Sequence, residues 1–337
     1  GPGIHYKVRP FHARQVKNKQ EPYDELCPEM ARKKAMGIDC VIAFMPTMSN
    51  FAQYCRAARE AGIAVQSWIT PRTLIENPVD RCLPEEQWQK MEKIHGIRLN
   101  FPCLNHPQNQ ESFISLAQDL LAEYGSELSA LHLDAIRFEN AILQYEFPCE
   151  CEACRALRKK FFGKEELSAK ERLEPSVVYK EIDIKNDSVS GIVRRLKTIC
   201  EKQGLALTMA ARANYLNQPD IFVNPVWGLG PALLEGQDWV KWCDNGWVDE
   251  AYSMNYHPNE AYFSQVLEEH MRLTRDSKAV FKCGIATESS MGVNPPERVA
   301  KYLREVKEAG LPGCVFFNKN DVFSPEYEKA IKAAVLA

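Results

Sequence analysis

The sequence lacks an excess of either charge: 42 Lys and Arg stand against 45 Asp and Glu, a formal net charge of −3 over 337 residues. Composition therefore supplies no basic face for DNA, RNA or anionic lipid, and neither nucleic acid nor a membrane is expected as a partner. Long hydrophobic runs are missing too. The best, Cys40 to Met45, stops at Pro46, well short of the ~18 apolar residues a membrane-spanning helix needs. Several chemical signatures are also missing: His-x-His for an amidohydrolase metal centre, Gly-x-x-x-x-Gly-Lys-Ser/Thr, His-Glu-x-x-His and Gly-x-Ser-x-Gly. Gly228-Leu229-Gly230 lacks the third glycine of a dinucleotide loop and opens no βαβ unit, so no organic cofactor is expected.

What is present is a hydrophobic fraction of 45%, which excludes a disordered chain. At about 150 residues per domain the length allows two domains, but α/β barrels reach it as one. Gly1-Pro2-Gly3 reads as a scar of protease cleavage, so the lack of a signal peptide is uninformative. Localisation is accordingly open between the cytoplasm and a secreted or periplasmic place. Twelve cysteines scattered over this length do not read as a disulfide scaffold. Cys40, Cys283 and Cys314 in strands, and Cys200 on a helix, read as buried thiols.

Short apolar segments alternate with amphipathic ones along the chain, the mark of βα units and a parallel sheet. The predicted strands are Ile4–Pro10, Asp39–Met45, Ala64–Thr70, Ala130–Phe138, Ala206–Arg212, Val248–Tyr256, Ala279–Ala286 and Gly313–Asn318, each followed by a helix. Eight such units predict one (β/α)8 TIM barrel over residues 4–337. Phe113, Leu116, Ala117, Leu120, Leu121 and Tyr124 make one apolar helical stripe. Asn294 is placed to cap a helix through Pro295, Pro296 and Glu297, Ser324-Pro325 opens the last helix, and Gly37, Gly62, Gly204 and Gly310 fall at helix stops. Two connections, about 71–108 after the third strand and 139–187 after the fourth, are too long for simple loops. Both lie at the C-terminal face, where barrel enzymes build their sites. The charge-rich stretch Phe161–Lys185 reads as a solvated helical face or a flap over it.

In the fourth strand, Leu131-His132-Leu133-Asp134-Ala135-Ile136-Arg137-Phe138-Glu139, alternation puts His132, Asp134 and Ile136 on one face. An aspartate in an apolar strand is costly unless it reaches the open end or is paired. Two readings follow: a catalytic or binding carboxylate at the mouth, or an ion pair with Arg137 or Arg212 that braces the strand ends. Leu-Asp-Ala-Ile-Arg-Phe, together with Asp249 to Met254-Asn255-Tyr256 at the sixth strand, resembles the glycosyl-hydrolase-like barrel proteins, departing at Ala135 where an aromatic is commoner. The resemblance implies a carbohydrate-active barrel and carries Asp134 over as its key position.

Cys149, Cys151 and Cys154 crowd one inserted segment. Their spacing is neither that of a radical-SAM cluster nor of a ferredoxin, and three thiolates with a fourth can hold Zn2+ tetrahedrally. The fourth would come from the other insertion, at Cys103. The set Cys103, Cys149, Cys151 and Cys154 is similar to the structural zinc site of family 42 β-galactosidases, and that resemblance implies a closed site pinning two loops. The same resemblance puts a catalytic acid two residues after the aspartate, where this chain has Ile136. Thiols that hold no metal are the plainer reading.

Glycoside hydrolysis needs a second carboxyl group. Glu288, at the end of the seventh strand and across the barrel, is the candidate, with Glu139 and Asp321 as rivals. Sugar contacts are expected from Arg137, Glu139, Arg212, Asn255, Tyr256, Trp68, Trp227, Asp321 and His12, with Arg9, Asn214 and His257 close by at strand ends. The reading is a glycoside hydrolase acting on an oligo- or polysaccharide through Asp134 and Glu288, oriented by Arg137 and Arg212. The alternative is a glycan-binding barrel without catalysis. Oligomeric state has no signal in the sequence.

Overall fold

All eight predicted strands form. In the computed structural model, which describes residues 3–8, 22–44, 50–96, 98, 100–139, 148–222, 230–318 and 323–337, they are β1 (Gly3–Val8), β2 (Ile38–Ala43), β3 (Ala64–Ile69), β4 (Ala130–Leu133), β5 (Ala206–Ala211), β6 (Glu250–Ser253), β7 (Val280–Ala286) and, after a hairpin of β8 (Glu288–Ser289) and β9 (Gly292–Val293), β10 (Gly313–Asn318). The eight long strands pair in parallel as a closed barrel in the order β1-β10-β7-β6-β5-β4-β3-β2. Closure explains why outward positions such as Val41, Leu131, Leu133, Leu207 and Met209 are fully buried: the helical layer covers them. Among the described residues no helix is long and apolar enough to cross a membrane.

The barrel interior is unusually polar. Ile42, Phe44, Trp68, Tyr252 and Val315 form an apolar layer inside it. Beneath them Thr208 Oγ1 donates to Gln66 Oε1 (2.7 Å) and meets His132 Nδ1 (2.8 Å), while Gln66 Nε2 donates to the Tyr252 hydroxyl (2.9 Å). Tyr252 in turn donates to Glu250 (2.6 Å), whose other oxygen faces Lys282 Nζ at 3.0 Å. Each of these side chains comes from β3, β4, β5, β6 or β7, so the network ties five strands together where a barrel more often stacks Val, Ile and Leu.

The punctuation behaves as predicted at Gly37, Gly62, Gly204 and Gly310, which all take left-handed φ. The helix Pro107–Tyr124 buries Phe113, Ala117, Leu120 and Leu121, and Ser324 precedes the helix Pro325–Leu336. Asn294 departs from expectation. The helix it was to cap starts at Pro296, and the Asn294 amide instead donates to Ala286 O (2.9 Å), pinning the hairpin connection to the end of β7. Cys40, Cys200, Cys283 and Cys314 are buried thiols. The stretch 161–185 is largely helical and exposed, although Ile184 and Lys185 turn inward.

One contact controls how closely β6 and β7 pack. A Cβ at Gly284 would lie 1.9 Å from Ser253 O. Gly284→Ala is therefore expected to lower stability by about 3 kcal/mol. Gly310→Ala, with left-handed φ but open space around it, should cost only about 1 kcal/mol. Urea midpoints of the two variants check this, and equal losses would contradict it.

Candidate functional site

The fourth strand stops earlier than its sequence pattern. β4 ends at Leu133, Asp134 N still donates to Ile69 O of β3 (2.9 Å), and Ala135 then adopts φ +49°. A non-glycine residue in that region is uncommon and carries strain. It ends the alternation, so Ile136 is buried without sharing the Asp134 face, and the turn closes with Arg137 N donating to Ala135 O (2.9 Å). Asp134 is left half-buried at the mouth, with Arg137 and Glu139 in electrostatic reach.

Arg212 follows the last residue of β5, on the same side as interior-facing Thr208. Its guanidinium is gripped by a residue that sequence reasoning missed, Glu235, which has no solvent exposure: Nε donates to Oε2 at 2.8 Å and Nη2 to Oε1 at 3.2 Å. Arg137 Nε lies 3.5 Å from the same carboxylate. Backbone bonds complete the latch. Phe138 N donates to Glu235 O (2.7 Å), and the Gln237 amide accepts from Arg212 N (2.9 Å) and donates to Ile136 O (3.2 Å).

Electrostatics separate the two glutamates. Burial pushes the Glu235 carboxyl up, against the pull of Arg212 and Arg137. Burial acts on Glu139 in the same sense, but Arg137, Arg212 and Arg72, at 3.4, 3.9 and 4.0 Å, outweigh it and hold that carboxyl below the usual range. Glu139 is thus an ionised carboxylate at neutral pH, bordered by three cations.

Of the predicted residues, the structure brings together Asp134, Arg137, Glu139 and Arg212. Glu288 is not at the end of the seventh strand but on β8, in the hairpin that follows β7, which is three strands round the barrel from β4; it lies beside Tyr327, whose hydroxyl burial and the Glu288 charge push up. Tyr256 is half-buried and stacks on Phe317, ring centroids 5.1 Å apart. Trp68 and Asn255 are core residues: Trp68 packs edge-on to Phe44, and the Asn255 amide donates to Phe263 O (3.2 Å). Asn214 and His257 are likewise engaged with backbone, accepting from Gln218 N and contacting Ile221 O. His12, Trp227 and Asp321, with Arg9, lie outside the described residues.

The four predicted thiols converge. The Sγ atoms of Cys103, Cys149, Cys151 and Cys154 all lie within 4.8 Å of one another, with Cys103 and Cys154 3.5 Å apart. A tetrahedral ion with ~2.3 Å metal–sulfur bonds needs sulfurs about 3.8 Å apart, so the cluster has the size to hold a metal ion. Neighbours set it in place. Cys151 caps the helix Glu152–Phe162, and the backbone N–H groups of Cys151 and Cys154 point at Cys149 and Cys151 sulfurs at 3.5 Å. The buried amide of Asn109 bonds Val79 and Cys103 on one insertion, and Glu150 N donates to Cys82 O (3.1 Å) across to it from the other.

No protein-family profile and no curated protein matches the chain. Among solved structures it is similar to the PgaB (BpsB) glycoside hydrolase domain from Bordetella bronchiseptica, at 13% identity over 99% of this chain and 98% of that one, with a TM-score of 0.66. A chitinase from Chromobacterium violaceum is similar at 9% identity over all of both chains (TM-score 0.56). So is a β-galactosidase from Bacillus circulans sp. alkalophilus, at 13% identity over 94% of this chain and 50% of that one (TM-score 0.56). The chain therefore has the (β/α)8 fold found in these glycoside hydrolases.

The thiol geometry predicts that elemental analysis of the purified protein finds one thiophilic metal ion per chain, absent from Cys103→Ser. Chelation should lower Tm by several degrees, because metal binding is coupled to folding of the two insertions. A metal-free wild-type protein with unchanged Tm in chelator would contradict it.

Proposed function

We propose that the protein is a carbohydrate-active enzyme that hydrolyses a glycosidic bond at the C-terminal mouth of its barrel. The observation that carries this reading is the cluster of Asp134 and Glu139 with Arg137 and Arg212 where β4 and β5 open. Hydrolysis needs one carboxylic acid to protonate the leaving oxygen and one carboxylate to attack the anomeric carbon or activate water. Asp134 takes one role, with Glu288 as its partner across the mouth. Glu139, held ionised by its arginines, is the nearer rival for the carboxylate role. Arg137 and Arg212 border Glu139, and Tyr256 offers a ring face and a hydroxyl to a sugar.

The thiol cluster is proposed to hold zinc, which four thiolates in a closed site suit better than other metals. Zinc would supply a cross-link between the insertions and no reacting water, since all four positions are taken by Cys103, Cys149, Cys151 and Cys154.

A second reading, a glycan-binding barrel without catalysis, is favoured by Ile136 and by the arginines that occupy Glu139. Reducing-end release from a panel of oligosaccharides separates the two. Asp134→Asn and Glu288→Gln should each lower turnover by about a hundred-fold or more with folding intact. Turnover within a few-fold of wild type in Asp134→Asn would refute the assignment. Binding by the wild type without any release would move the second reading ahead.

A further inference from the structure

Between the two insertions, beside the barrel mouth, lies an open cleft. Phe101, Phe138, Leu157 and Ile184 give it apolar walls, and Arg137 and Glu139 join it to the carboxylate cluster described above. Its arginines fall into two groups. Arg137 and Arg158 are committed: Arg137 faces Glu139 and Glu235, while Arg158 pairs with Glu150 and donates to the carbonyls of Cys149 and Glu165.

Arg81 and Arg172 are not committed to carboxylates. Arg81 is only 8% exposed, yet its Nε and Nη2 have no hydrogen-bond partner. Arg172 donates to Leu167 O (2.9 Å) and has no ion pair among the described residues. A buried guanidinium without acceptors is costly, and its planar fork matches carboxylate and sulfate oxygens two at a time. Apolar and aromatic walls ending in such donors suit a pyranose ring that carries an anionic substituent.

We propose that this cleft is a subsite for the acidic group of a saccharide, a uronate carboxylate or a sulfate ester, received by Arg81 and Arg172. The inference rests on the carbohydrate reading and adds the charge class of the substrate. Its rival is a purely structural role for Arg81, which also lies in electrostatic reach of Cys103, Cys149 and Cys154 and would offset the charge of a metal tetrathiolate.

The test is a glycan array of matched neutral, uronate-bearing and sulfated oligosaccharides, probed with the metal-loaded full chain and with Arg81→Gln and Arg172→Gln, metal content being measured on each. Arg172 is half-exposed, so its variant remains readable if the Arg81 variant fails to fold. Acidic glycans should bind about ten- to a hundred-fold more tightly than their neutral partners, and each variant should lose that margin. Which acidic series binds better distinguishes carboxylate from sulfate. Neutral glycans bound as well as acidic ones would overturn the subsite and leave the carbohydrate reading standing. An acidic preference unchanged in Arg172→Gln, with metal lost from Arg81→Gln, would assign Arg81 to the thiolates and overturn the proposal. No glycan bound at all would overturn both readings.

Discussion

A carboxylate with no access to water stays charged only against fixed cations, and at the mouth of this barrel Glu235 meets Arg212 and Arg137. That buried ion cluster is the constraint on which the local architecture depends. It draws the segment after β5 onto the segment after β4, and Gln237 and the Phe138–Glu235 backbone bond lock the two chains in register. Gly230 lies against the carboxylate, where any Cβ would come within 2.5 Å of Oε1. The strained turn at Ala135, and with it the half-buried position of Asp134, is held by these contacts. Glu235 itself has no solvent exposure, and it positions the two arginines that border Glu139.

A second fixed point lies at the insertions. The described parts of the two insertions are tied to each other by Asn109, by the Cys82–Glu150 backbone bond and by four converging thiols. Ser188 extends the contact by donating to Asn105 Oδ1 (2.7 Å). The two insertions thus form the walls of the apolar cleft, which Arg137 and Glu139 join to the barrel mouth.

Much of this was legible from residues alone, for physical reasons. Strand and helix periods differ enough that all eight strands could be placed, and Cys-x-Cys-x-x-Cys near a lone cysteine on the neighbouring insertion predicted a convergence that the structure contains. Asp134, Arg137, Glu139 and Arg212 were readable because charged residues at strand ends stand out in apolar surroundings. Glu235 was not, since it sits on a short turn in a long connection and nothing local marks a glutamate as buried. Ala135 concealed the end of β4, because alanine rarely takes positive φ. Trp68 and Asn255 mislead for another reason: alternation tells which face a side chain takes, but not whether that depth of the barrel is mouth or core. The Gln66, His132, Thr208 and Tyr252 network depends on strand register, which no single strand encodes.

The central claim is that the Arg212–Glu235 pair acts as a unit to hold the mouth, and a double-mutant cycle tests it most directly. Arg212→Met and Glu235→Leu should each lower stability by about 3–5 kcal/mol, since each strands a buried charge. The double variant should cost less than the sum of the two by about 2 kcal/mol or more. Losses that add to within about 0.5 kcal/mol would show the two side chains to be independent and would contradict the account.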